Sequence, residues 1–140
     1  HYTLSLHDAL PISAIHILTI LASRDGEWVT SEGMARSVQT NPGLVRRVLS
    51  QLSAAALVET KAGPQGGARL ARPMHLINLA EVYEAVVQEP VLKKSNREPN
   101  KTCVISCGIG DVLEGVFSDA ERAMRNQLKQ TTIKDVLKHL

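Results

Sequence analysis

The sequence predicts a mainly α-helical chain carrying one small β-hairpin, and three stretches predict it. The first is Thr40-Asn41-Pro42. A capping side chain there can accept from an unpaired backbone N–H, and a proline in the first helical position has no N–H to waste. The second is Gly63-Pro64-Gln65-Gly66-Gly67, a run of turn formers between two short β-prone segments. The third is an apolar stripe from Ile109 to Leu128 that repeats at three and four. Helix, tight turn, helix and glycine-tipped hairpin make a winged helix-turn-helix domain, and the stripe adds a long C-terminal dimerisation helix.

Taken in order, Leu10, Ala14, Ile17, Leu18 and Leu21 form one helical face between about Leu10 and Ser23, while Ile12, Ile15 and Ile20 lie elsewhere around the axis. A helix apolar on several sides is buried on several sides, so this one is expected against its own core and against a second subunit. His16 within it reads as a packed or interface residue rather than a metal ligand. Arg24-Asp25-Gly26-Glu27 turns the chain, and Trp28-Val29 is placed as a short strand beside the hairpin. Thr30 or Ser31 caps the next helix, with Glu32 in its first turn and Met34, Ala35 and Val38 turned inward.

In the helix opened by Pro42, Leu44, Val48 and Leu52 recur at i, i+4 and i+8, widened by Val45 and Leu49. The opposite face carries Asn41, Gly43, Arg46, Arg47, Ser50 and Gln51. It is either a solvated polar face or the set of groups that reaches base edges and phosphates in a major groove. Leu57 to Lys61 and Ala68 to Ala71 are the strands of the wing, which Pro73 ends. Asn78 caps a helix whose Leu79, Val82 and Val86 face inward and which closes at Gln88-Glu89-Pro90.

Val91 to Thr102 holds Lys93, Lys94, Arg97 and Lys101 between prolines and is expected to be a mobile basic linker. The long helix is placed at Gly108 to Lys129, and Thr132 with Asp135 makes a capping box for a last short helix. One small domain has little core left to cover the long stripe, so this helix is expected to pair with its copy in a second subunit. The organisation read from the chain is a leader at 1–13, a winged helix-turn-helix domain at 14–90, the linker at 91–102 and dimerisation helices at 103–140.

Composition narrows the function. At 140 residues the chain amounts to one domain, able to bury roughly two thirds of its unfolded surface. It has two cysteines, no apolar run of membrane-spanning length and no secretory signal pattern, so a cytoplasmic, reducing location is expected. Only 3% of residues are aromatic, which disfavours stacking on single-stranded bases and favours groove binding to duplex DNA. Between Asn41 and Pro73 the basic residues are Arg46, Arg47, Lys61, Arg69 and Arg72 against the single acid Glu59, while the whole chain is only +2. Positive charge is therefore concentrated on the proposed reading head.

Three runs carry a resemblance: Ser53-Ala54-Ala55-Ala56-Leu57-Val58, Gly63-Pro64-Gln65-Gly66-Gly67-Ala68-Arg69-Leu70-Ala71 and Ile77-Asn78-Leu79-Ala80-Glu81-Val82. With them the chain, from about Ala14 onward, resembles the Rrf-two family of bacterial winged-helix transcription regulators, which includes an iron-sulfur regulator, a nitric-oxide sensor and a cysteine-metabolism regulator. The resemblance implies a homodimer on a roughly palindromic duplex operator, usually repressing. His1 to Ser13 differ from the family's usual start, and the string SLHDALPIS resembles translated sequencing-adapter read-through, so this leader is expected to be non-native or irregular.

Cys103 and Cys107 stand four apart near the start of the long helix. The cluster-binding members of the family carry three cysteines at wider spacing here, and this chain has no third. An iron-sulfur cluster and a structural zinc both want more ligands, so no metal and no cofactor is expected, and the chain is placed in the family's cluster-free branch. Thiols near a helix N-terminus are more readily oxidised, so Cys103 and Cys107 are redox candidates, set against inert cysteines at a dimer interface.

The function expected from the sequence is a dimeric, sequence-specific transcriptional repressor, modulated by cysteine oxidation. Asn41, Gly43 and Arg46 are placed on bases, Ser31, Thr40 and Arg47 on the backbone, and Gln65 and Arg69 at the wing. The alternative is a winged helix that docks a protein without binding DNA. Catalysis is not expected, because Gly63 to Gly67 sits in a hairpin rather than between a strand and a helix and no base neighbours either thiol in sequence.

Overall fold

A computed structural model of the chain describes residues 6–90 and 97–140, with side chains from Leu10 onward in the first helix. The elements are α1 (Leu6–Ser23), α2 (Ser31–Val38), α3 (Pro42–Ala54), β1 (Val58–Lys61), β2 (Gly67–Leu70), a 3-10 turn (Met74–Leu76), α4 (Leu79–Val86), α5 (Val104–Leu128) and α6 (Ile133–Lys138). They form two compact units, one of residues up to Gln88 together with Leu128–Leu140, the other Glu89–Gln127. None of the described helices is long and apolar enough to cross a membrane.

The first unit is built on α1. Leu10, Ile17, Leu18 and Leu21 of α1 are buried with Met34 of α2, Val45, Val48 and Leu52 of α3, Leu57, Ile77, Val82 and Ile133. Each such side chain is worth about 1.5–3 kcal/mol once removed from water, and Leu18→Ala would leave a cavity costing about 2–5 kcal/mol. The helix begins a turn earlier than the sequence indicates and runs through Pro11. Proline forfeits one backbone hydrogen bond there. The full burial of Leu10 and Ala14 on the same face offsets that loss. Residues 6–13 of the leader are thus helical, and Leu10 is in the core, as its place on the apolar face indicates.

Capping follows the sequence closely. Thr30 accepts from Gly33 N at the head of α2, Asn41 from Leu44 N at the head of α3, and Asn78 and Thr132 complete capping boxes with Glu81 and Asp135. The α2–α3 turn passes through Gln39, held in the left-handed region at φ 59°. A second left-handed residue, Ala56 at φ 58°, ends α3 while Leu57 N donates to Leu52 O.

In the wing, β1 and β2 pair antiparallel with Val58 opposite Leu70, Glu59 opposite Arg69, Thr60 opposite Ala68 and Lys61 opposite Gly67. Val29 adds a single bridge to Ala68, donating at 2.9 Å and accepting at 2.8 Å, as the Trp28-Val29 reading anticipates. Gly67, at φ 140°, is required: a Cβ there would lie 2.1 Å from the Val29 carbonyl oxygen.

The last helix departs from the expected grouping. Ile133 is fully buried in the first unit, its N–H donates to Ile77 O, and α6 packs on α1 and on the 3-10 turn. The sequence reading joined 103–140 as dimerisation helices, because the amphipathic pattern of α6 shows only that one face is covered and not by what. In the second unit α5 has no buried residue, and Val104, Ile105, Ile109, Val112 and Val116 are all exposed. Half of the expected linker, 91–96 with Lys93 and Lys94, lies outside the described residues, as do residues 1–5.

Candidate nucleic-acid interface

The N-terminus of α2, the outer face of α3 and the wing enclose a groove of about 650 Å³. Ser31 and Glu32 of α2, Arg46, Ser50 and Ser53 of α3, and Thr60, Lys61, Gly63, Pro64, Gly66 and Gly67 of the wing line it. Apolar residues of α3 at 45, 48, 49 and 52 are buried, and this turns the intervening polar positions outward. Arg46 and Arg47 are both exposed, and among the described residues Arg47 has no ion-pair partner.

The candidate positions differ in what they leave available. Asn41 is exposed, but its Oδ1 accepts from Leu44 N at 2.8 Å, so only its amide N–H groups remain for a base. Gly43 has no side chain to read one; its Cβ would stand 3.0 Å from Asn41 Oδ1, so its smallness clears the cap. Thr40 is half-buried and its N–H donates to Ala35 O, closing α2. Ser31 lines the groove, while Gln65 is exposed at the wing tip.

Arg69 is already engaged. Its Nε donates to Glu59 Oε2 at 2.9 Å and its guanidinium lies 4.3 Å from the Trp28 ring centroid, with Lys61 Nζ at 5.7 Å from the same ring. Arg72 pairs with Glu81 at 3.1 Å. The linear charge count thus overstates the free positive charge, because two of the five basic groups hold the domain together. It also misses Glu32, whose Oε1 comes to 3.8 Å from Arg46. In sequence Glu32 reads as a helix-terminus acid, and Trp28 as a bridging strand residue; the neighbours of each come from distant elements.

Cys103 sits at the head of α5, its Sγ accepting from Ser106 N at 3.5 Å, and the Cys107 thiol donates to Asn100 O at 3.4 Å. Among the described residues no group of three or more His, Cys, Asp or Glu side chains is arranged to hold a metal ion. His16 is half-buried, its Nε2 lying 3.1 Å from Ser37 Oγ across α1 and α2.

A helix-turn-helix whose second helix and wing share one open groove defines a winged-helix regulator. The chain belongs to the Rrf2 family, described as "Iron-dependent Transcriptional regulator", whose pattern matches residues 12–139. It is 38% identical over 127 residues to YwnA of Bacillus subtilis (strain 168), assigned as an HTH-type transcriptional regulator, a match covering 91% of this chain and 93% of YwnA. It is 28% identical to the HTH-type transcriptional regulator NsrR of Bacillus licheniformis, over 89% of this chain and 86% of NsrR. Among solved structures, a protein assigned to DNA binding matches with a TM-score of 0.74 and 34% identity, covering 91% of this chain and 98% of that one. The chain is accordingly a transcriptional regulator and not an enzyme. The iron of the family description meets a poor donor set here, since two thiols one helical turn apart offer fewer ligands than a cluster takes.

Proposed function

We propose that two copies of the chain bind a roughly palindromic duplex operator and repress transcription from it, without a metal cluster. The observation that carries this is the α2–α3–wing groove, with Arg46 and Arg47 exposed and Gln65 at the wing tip. Arg46 takes base edges from the N-terminal half of α3, while Arg47 and Ser31 take phosphates. The uncovered apolar stripe of α5 supports pairing with a second copy, as does Ile12, 67% exposed on α1. A two-fold axis then sets two reading heads on half-sites about one helical turn, or a multiple of it, apart.

The test is a binding titration over salt. With about four phosphate contacts per subunit, log K falls against log salt with a slope of roughly −7, about four powers of ten between 50 and 200 mM. A flat dependence, or no retention on DNA at low salt, would instead favour the protein-docking reading.

Oxidation at Cys103 tunes this affinity in the same proposal. Attack of its thiolate on hydrogen peroxide breaks the O–O bond, gives the sulfenic acid and expels hydroxide, which takes a proton to become water. Condensation with Cys107, or with a thiol of the second subunit, gives a disulfide and a second water. The support is the position of Cys103 at the head of α5, where its sulfur accepts a backbone N–H. A Cys103→Ser protein that loses operator under peroxide as the parent does would remove this part of the reading.

A further inference from the structure

Glu32 is out of place on a surface meant for a polyanion. It lines the groove, its side chain is 64% exposed, and its carboxylate stands 3.8 Å from Arg46, itself 61% exposed. Its place in the first turn of α2 gives it a local reason to be acidic, and that reason would hold equally on a face turned away from the groove. Its position opposite the reading helix gives it a second consequence.

We propose that Glu32 is a specificity-determining residue of the DNA interface, which reads a G·C pair together with Arg46 and penalises binding to DNA that lacks the pair at that position. This rests on the DNA-binding function proposed above. Non-specific complexes consist almost wholly of phosphate contacts. In such a complex Arg46 must leave Glu32 for a phosphate, and the bared carboxylate then faces the backbone charge. A G·C pair removes both costs, since guanine O6 and N7 accept the Arg46 fork while the cytosine N4 amino group donates to Glu32. No other base pair presents those acceptors and that donor side by side on its major-groove edge in the same orientation.

The probes are the duplex that the parent chain selects from a random library and a mixed-sequence duplex of equal length. The expected result is that Glu32→Gln tightens binding to the mixed duplex severalfold and lowers the ratio of selected to mixed affinity by roughly tenfold. Glu32→Asp keeps the charge but not the reach, so mixed-duplex binding stays weak while the preference for the G·C pair drops. In an Arg46→Gln background, Glu32→Gln no longer changes the ratio, an outcome that a merely helix-stabilising role would not produce. An unchanged ratio in Glu32→Gln overturns the inference and leaves DNA binding standing, and so does an equal loss in the Arg46→Gln background. A parent chain that selects no sequence overturns both.

Discussion

The Arg69 guanidinium lies over the Trp28 ring, 4.3 Å from its centroid, while its Nε holds Glu59 across the hairpin at 2.9 Å. Two partners, one on each side, make Arg69 a brace for the wing rather than a free cation. Arg47→Gln is therefore expected to reduce the magnitude of the salt slope by about 0.9 per subunit. Arg69→Gln should change it less and weaken affinity through a looser wing. Anisotropy titrations across a salt series measure both, and equal slope changes would show that Arg69 leaves Trp28 for a phosphate.

Gly67 admits no side chain. Gly67→Ala places Cβ 2.1 Å from the Val29 carbonyl oxygen, at a φ of 140° that L-residues rarely adopt. The strand must shift or the Val29–Ala68 bridge must break. Urea unfolding should show a loss of about 2 kcal/mol, within the usual range for local backbone strain.

Ala56 carries the opposite opportunity. Its φ of 58° costs an L-residue about 1–2 kcal/mol, partly offset in a glycine variant by the larger entropy glycine loses on folding. Ala56→Gly is expected to stabilise the domain by about 0.5–1 kcal/mol, read as an upward shift of the urea midpoint.

The α5 stripe predicts the assembly. Val112 and Val116 are 66% and 55% exposed in the single chain. A charge at either position enters the proposed interface twice, once from each copy. Val112→Asp or Val116→Asp should raise the dimer dissociation constant by about a hundredfold or more. Sedimentation equilibrium reads this directly, and a parent chain that is monomeric at micromolar concentration would refute the pairing.

Asp135 gives a pH signature at the other capping box. The Thr132 backbone N–H, donating to its carboxylate, followed by the Thr132 hydroxyl, holds its pKa below the ordinary aspartate value of 3.8. His139 and Lys138 add to this, and slight desolvation opposes it. A depressed carboxylate contributes its full stability above the ordinary value and loses it as pH falls through the lower folded value. Asp135→Asn should therefore be less stable than the parent at neutral pH, with the gap closing below about pH 4. Urea midpoints measured from pH 7 to pH 2 check this.

Local chemistry is what the amino-acid order made legible. Asn41, one of two candidates before Pro42, Asn78, and Thr132 with Asp135 cap the helices whose starts they mark, because a cap is settled within four residues. The wing strands fall within a residue of their expected ends, since glycine and proline punctuate backbone directly. The first helix begins at Leu6 rather than near Leu10, because the apolar face that marks it in the sequence starts only at Leu10.

By itself the chain determined its elements, its apolar faces and, through the glycine-rich wing, its family. Only the tertiary structure decided which cations stay free: Arg69 goes to Glu59 and Trp28, Arg72 to Glu81, and Arg46 meets Glu32 from a separate helix. It likewise assigned α6 to the first unit through Ile133. The reason is the range of the forces involved. Capping and turn propensity act along the backbone over a few residues, whereas charge pairing and burial act through space between elements whose proximity no short stretch of sequence encodes.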